Sequence, residues 1–206
     1  MRHYLPMESQ ARETAPSAER NKQPIVEVLA RVLPPAGLVL EIGSGTGQHV
    51  SHFARALPGL TFQPTEMDAE RHGSIAAWTE GLPNVRPPIA FDVMRLPWPI
   101  RAADAIVCIN VIHISPWEAT LALMKSAGEI LKPRGVLATY GPYRRDGRHT
   151  APSNEAFDAS LKSRDPRWGI RDLGEVADVA KANRLELEEV VEMPANNLTL
   201  VFRLPP

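Results

Sequence analysis

Three acidic residues and a run of alternating glycines carry the chemistry legible in this sequence. Glu41-Ile-Gly43-Ser-Gly45-Thr-Gly47 closes one apolar run and opens a helical one. Glycines let the backbone turn sharply and let a ligand approach it closely. Glu66 follows roughly twenty residues after this turn, with Met67 and Asp68 beyond it. A carboxylate at that spacing can accept from both hydroxyls of a ribose. Asp92 and Val93 close a further apolar segment. There an Asp can accept from an adenine amino group while the next backbone N–H donates to the ring. Each acid also has a plainer explanation, Glu66 or Asp68 as a helix cap and Asp92 as a turn residue.

Regular elements must bring these residues together. Residues 1–16 are polar, contain Pro6 and Pro16, and are expected to form a mobile or loosely docked arm. Ser17 is expected to cap a helix to about Leu33, with Ile25, Val28, Leu29 and Val32 on one face. Strands are expected at 37–43, 60–66, near 89–92, 104–110 and 135–141, and helices over 48–57, 69–79 and 116–131. Residues 142–170 form a long polar stretch with a short helix near 153–163. Asp172 with Glu175 reads as a capping box for another helix. Residues 185–193 and 198–204 alternate like a hairpin around Pro194-Ala-Asn-Asn197. The order β-α-β-α-β-α-β-α-β-α-β-β predicts an α/β, Rossmann-like fold. Its sheet is mostly parallel, with helices on both faces and an antiparallel final pair. One domain over 1–206 accounts for the chain.

Two ligand classes compete for the glycine turn. The dinucleotide fingerprint G-x-G-x-x-G fits Gly43 and Gly45 but meets Gln48 at its third glycine. The S-adenosylmethionine pattern, an acid two residues before G-x-G-x-G, is matched throughout by Glu41, Gly43, Gly45 and Gly47, with Ser44 inside the loop. That ligand carries an ammonium and a sulfonium, which a nearby acid favours. Together with Glu66 and Asp92, the chain resembles the class I S-adenosylmethionine-dependent methyltransferases. The resemblance implies a seven-stranded sheet with one antiparallel strand. The segments SAERN at 17–21, LEIGSGTGQH, CINVIHISPWEAT, YGPYRRDGRHTAPSNEAFDASL and VVEMPANNLTLVFR further resemble a small methyltransferase-like family defined as a domain of unknown function.

Methyl transfer would need an acceptor pocket beyond the fourth strand. Asn110, a binder of backbone or cofactor, stands there before His113, a candidate base or substrate donor, and Trp117, a candidate wall. After the fifth strand come Tyr140, Tyr143, Arg144, Arg145, Arg148, His149 and Asn154. Of these, Tyr143 and His149 join His113 as candidate catalytic groups, and Arg144, Arg148 and Asn154 join Trp117 as candidate acceptor contacts. The arginines suit a carboxylate or phosphate on a small acceptor, and a solvated basic loop explains them equally well. Arg20 or Asn21 could reach the carboxylate of the cofactor. Exocyclic base methylation fits poorly, since Asn-Val-Ile-His stands where Asn/Asp-Pro-Pro-aromatic is usual. No metal site is expected: His49 and His52 lack a third ligand, and acids do not cluster near the later strands.

Lys+Arg 23 against Asp+Glu 24 argues against a long nucleic-acid footprint. The single cysteine, Cys108, lies inside an apolar strand and reads as an inert thiol. No membrane span or signal core is seen, so a cytoplasmic protein is expected. The expected function is S-adenosylmethionine-dependent methylation of a small molecule. A non-catalytic binding module and a nicotinamide-dependent oxidoreductase are the alternatives.

Overall fold

A computed structural model describes residues 12–206. Seven strands form one sheet in the order β3-β2-β1-β4-β5-β9-β8. They are β1 (Gly37–Ile42), β2 (Leu60–Glu66), β3 (Ile89–Ala90), β4 (Ala103–Ile109), β5 (Leu131–Gly141), β8 (Glu186–Met193) and β9 (Asn197–Arg203). The first five run parallel, and β9 runs antiparallel between β5 and β8. The chain builds outward from β1 to β3, then crosses to β4 on the other side of β1. The carboxyl ends of β1 and β4 therefore flank the switch point, where sheets of this kind hold ligands.

Strand alternation divides the core in two. Val39, Val107, Ala138 and Tyr140 face α1 (Pro16–Val32), α2 (Gln48–Ala56) and α3 (His72–Thr79). Leu40, Ile42, Cys108 and Leu137 face α4 (Trp117–Ile130) and α6 (Leu173–Ala182). The helix α5 (Pro152–Arg164) lies outside these layers and buries only Asn154, Asp158 and Leu161. Among the described residues, no helix is long and apolar enough to cross a membrane.

Several local expectations change. The helix α1 starts at Pro16 with Ala15 as its cap, so Ser17 does not cap it. Proline suits this place because a first-turn N–H has no helical partner anyway. Residues 1–11 of the expected arm lie outside the described residues. Residues 12–15 are docked: Glu13 N donates to Ser74 Oγ (2.9 Å), Trp78 Nε1 donates to Glu13 O (2.7 Å), and Ala15 N donates to Gln48 Oε1. No helix joins β3 to β4. That crossover is an irregular segment pinned by Trp98, which packs edge-on against Phe91 and donates to Val93 O (2.9 Å). The polar stretch after β5 contains a two-stranded ribbon, β6 (Arg144–Arg145) and β7 (Arg148–His149), turned by Asp146 and Gly147 at φ 53° and 74°. Asp-Gly is a favoured pair for such a turn because both central residues need positive φ. Asp172 caps α6 through Gly174 N (2.9 Å), but Glu175 lies 4.0 Å from Arg144 and leaves the capping box half made.

Candidate functional site

The loop between β1 and α2 is shaped by its glycines. Gly43, Gly45 and Gly47 all have positive φ, at 67°, 56° and 92°. At Gly43 a Cβ would lie 2.6 Å from Val111 Cγ2, and at Gly47 one would lie 2.7 Å from Ile75 Cα. The loop is sewn to the end of β2. Ser44 N donates to Thr65 O (2.7 Å), Thr65 N donates to Ser44 Oγ (3.2 Å), and Thr65 Oγ1 donates to Glu41 O (2.7 Å). Thr65 thus anchors the loop, and only its position before Glu66 hints at this in the sequence.

Three acids end their strands around this loop. Glu41 is 2% exposed, and its Oε2 has no hydrogen-bond partner. Burial raises its pKa to about 7; the Ser44 hydroxyl opposes this and the nearby charge of Glu66 adds to it. Glu66 is partly exposed and accepts from Gly45 N (2.8 Å) and Asp68 N (3.0 Å). Each of its oxygens keeps a lone pair for further donors. Met67 beside it is 68% exposed, an apolar surface at the rim. Asp92 Oδ1 accepts from Met94 N (2.9 Å), a turn bond, and neighbouring Val93 is buried. The three acids therefore lie at or just beyond the carboxyl ends of β1, β2 and β3, stepped along the sheet: Glu41 is level with Pro64 and Glu66 with Ala90.

The other wall of this cleft comes from α1. Asn21 Oδ1 lies 2.7 Å from His49 Nε2, and the Asn21 side chain lies beside the Tyr140 hydroxyl at the end of β5. Burial pushes His49 down to about 4, so its ring is neutral. Arg20 is exposed next to this group and favours the ionised form of Tyr140. Gln48 ties the loop to the arm, accepting from Ala15 N and donating to Glu19 (3.2 Å).

The residues beyond β4 and β5 are used differently. Asn110 follows β4 at φ 61° and stays partly exposed. His113 is fully buried, and Arg171 N donates to its Nδ1 (3.3 Å). A backbone N–H only donates, so the neutral ring carries its hydrogen on Nε2, which has no partner. Burial and the Arg171 charge push His113 down to about 3. Tyr143 is also fully buried, meets the His113 ring edge-on at 4.9 Å, and shares a hydrogen bond with Thr139 Oγ1 (2.8 Å). Burial raises its pKa. Neither side chain reaches solvent, which departs from the expectation of an open acceptor pocket lined by them.

The arginines do not converge either. Arg145 pairs with Glu192 of β8, Arg144 turns toward Glu175, and Arg148 is exposed. Asn154 Nδ2 donates to Thr150 Oγ1 (3.1 Å) and Asn196 O (2.9 Å), tying α5 to the β8–β9 turn. His149 Nε2 lies 3.5 Å from Asp158 Oδ2, and its Nδ1 is buried without a partner. Two residues not expected from sequence hold this region together. Asp158 accepts from Ile170 N (2.7 Å) and pairs with Lys162 (2.6 Å). Arg171 donates to Ile112 O (2.9 Å) and Ser115 O and lies over the Trp117 ring at 5.6 Å.

A hollow between α1 and α2 lies at the opposite, amino end of the sheet. It measures about 300 Å³ and is lined by Leu29, Leu33, Pro34, Pro35, Leu57 and other residues without titratable groups. No polar side chain lines this hollow, whereas Glu41 Oε2 stands unpartnered beside the glycine loop at the carboxyl end.

Comparison with known proteins bears on the family and the fold. A family model described as "Protein of unknown function (DUF938)" matches residues 12–204. Among solved structures, CalO1, described as a methyltransferase in calicheamicin biosynthesis in its SAH-bound form, superposes with a TM-score of 0.71 at 20% identity. The match covers 92% of this chain and 54% of that one. An O-methyltransferase family protein from Burkholderia thailandensis gives a TM-score of 0.76 at 19% identity over 92% and 58% of the two chains. Human N-acetylserotonin methyltransferase in complex with SAM gives 0.71 at 14% identity over 92% and 56%. The fold is that of class I methyltransferases. The chain spans little more than half the length of these three proteins.

Proposed function

Since the chain belongs to the DUF938 family, whose description assigns no activity, we propose that it is an S-adenosylmethionine-dependent methyltransferase acting on a small molecule. The observation that carries the reading is the buried Glu41 carboxyl, with one oxygen unpartnered beneath three left-handed glycines at the switch point. A buried, unsatisfied carboxyl is costly, and a cationic ligand group would relieve it. The dinucleotide fingerprint fits less well, because Gln48 stands where its third glycine belongs. Gln48, at the third glycine position, is itself buried and bonded to the arm.

On this reading Glu41, Ser44 and the loop glycines line the amino-acid end of the cofactor, with Arg20, Asn21 and Tyr140 opposite. Glu66 receives the ribose hydroxyls, and Met67, Asp92 and Val93 enclose the adenine. When bound, the cofactor supplies a methyl group already activated by its sulfonium. The protein must then align the acceptor and exclude water. Asn110 stands where the two ligands would meet. His113 cannot serve as a base in this arrangement, since Nδ1 is occupied and Nε2 carries the hydrogen. His149, backed by Asp158, is the remaining proton acceptor, with Trp117, Arg144, Arg148 and Asn154 in outer positions. The proposal includes one methyltransferase domain and a cytoplasmic setting, which suits the buried free thiol of Cys108.

One observation favours a second reading, a binding module without turnover: the full burial of His113 and Tyr143. Calorimetry with S-adenosylmethionine and with NAD, followed by transfer of a labelled methyl group to small-molecule extracts, separates the readings. S-adenosylmethionine binding with transfer is the expected result. Binding without transfer on any extract supports the module, and NAD binding alone overturns both.

A further inference from the structure

We propose that Glu41 holds a proton in the free protein and releases it when the site takes a nucleoside bearing a primary ammonium, so that Glu41 selects the ammonium and not the nucleoside. The inference rests on the cofactor reading above and deepens it.

The geometry comes first. Glu41 is enclosed by strands on both sides, paired in register with Pro64 on β2 and Val107 on β4. Alternation along β1 turns it to the face that carries Val39, the face packed against α1 and α2. One oxygen faces the Ser44 hydroxyl, and the other has no donor at all. An ionised carboxylate in such a place lacks the two or three donors it needs, so the neutral acid is favoured.

The surrounding groups reinforce this. From β2, the Glu66 carboxylate adds negative charge. From β4, the Cys108 thiol is held neutral by burial, its pKa raised to about 12. From α2, His49 is neutral above about pH 4. From β5, Tyr140 is held neutral by burial. The cations at the rim, Arg20 on α1 and Arg71 after β2, are exposed to solvent. With its pKa near 7, Glu41 is protonated across the mildly acidic range. An incoming ammonium stabilises the ionised form, so the carboxyl O–H bond breaks, the carboxylate pairs with the ammonium, and the proton passes to buffer. No other bond changes.

S-adenosylhomocysteine and methylthioadenosine provide the test, since the second keeps the adenosine and the thioether but lacks the amino acid. Titrating each at pH 6.0 in buffers of different ionisation enthalpy counts the protons exchanged. S-adenosylhomocysteine is expected to release about one proton and to bind about 20-fold more weakly at pH 5.5 than at pH 7.5. Methylthioadenosine is expected to release none and to bind evenly across that range. In Glu41→Gln, S-adenosylhomocysteine is expected to lose both the release and the slope. Should Glu41→Gln fail to fold, the two wild-type titrations decide alone. Binding of S-adenosylhomocysteine without proton release, or equal release by methylthioadenosine, overturns the inference and leaves the cofactor reading standing. Failure of S-adenosylhomocysteine to bind at any pH overturns both.

Discussion

The ends of β1 to β3 and the ends of β4 and β5 hold similar sets of polar side chains, but in different states. Around the glycine loop, Glu41 keeps an unpartnered oxygen, Glu66 keeps free lone pairs, and the backbone is bent by glycine. Beyond β5, Arg171 is bonded to backbone carbonyls, Asn154 to a turn, Arg145 to Glu192 and Tyr143 to Thr139. A side chain whose valence is filled by its own fold supports structure. One left open beside a backbone bent by glycine at a strand's carboxyl end is a candidate ligand contact. The first region therefore has the character of a site, and the second mostly that of a frame, whose open atoms are His113 Nε2, Arg144 Nε and His149 Nδ1.

Substitutions can break or sharpen this contrast. The largest effect is expected for Gly47→Ala, which combines a left-handed backbone with a clash against the Ile75 backbone. It should cost about 4 kcal/mol in urea unfolding and abolish S-adenosylhomocysteine binding. Next comes the pH dependence of Glu41 in the ligand-free protein. Its folded pKa is raised above the ordinary 4.5 to about 7. Its stabilising contribution is thus complete below about pH 4.5 and lost as pH rises through 7. Wild type should lose about 3 kcal/mol between pH 5 and pH 8.5 relative to Glu41→Gln, read by denaturant titration at each pH.

The frame should respond in stability alone. Arg171→Met removes charged donors from the carbonyls of Ile112 and Ser115. It should cost about 2 kcal/mol while leaving S-adenosylhomocysteine affinity unchanged. Tyr143→Phe should cost about 1 kcal/mol through the loss of the Thr139 bond. Arg145→Ala should change stability by less than about 0.5 kcal/mol, since both partners of its ion pair are exposed. A loss of nucleoside binding in any of these three would join the two regions into one site.

The same contrast explains what the sequence discloses. Glu41, Gly43, Gly45 and Gly47 fall in one short segment, so their chemistry is visible in local spacing. Glu66 and Asp92 follow once the strands are recognised, because a parallel sheet puts strand ends in a row. The roles of His113 and Tyr143 depend on distant partners. Arg171 closes on His113 from 58 positions away, and no spacing rule announces it. The arginines of the ribbon look convergent in sequence because two short stretches, 144–145 and 148–149, place them side by side. Pairing Arg144 with His149 and Arg145 with Arg148 sends their side chains to different neighbours. The Asp146-Gly147 pair is a turn signal that a reading of 142–170 as one polar stretch passes over.

The docked stretch before α1 gives the molecule an optical gauge of its own. The Trp78 indole donates to Glu13 O and lies beneath the Arg12 guanidinium at 5.3 Å. Ser74, four residues before it, receives Glu13 N and donates to Thr46 O inside the glycine loop (2.7 Å). Any tightening or loosening of that loop is thereby relayed to an indole whose emission depends on its hydrogen bond and on the nearby cation. The other three tryptophans lie elsewhere: Trp98 in the β3–β4 crossover, Trp117 under Arg171 and Trp168 beside Arg164. With Trp98, Trp117 and Trp168 replaced by Phe, the Trp78 emission is expected to follow the state of the loop without any added label.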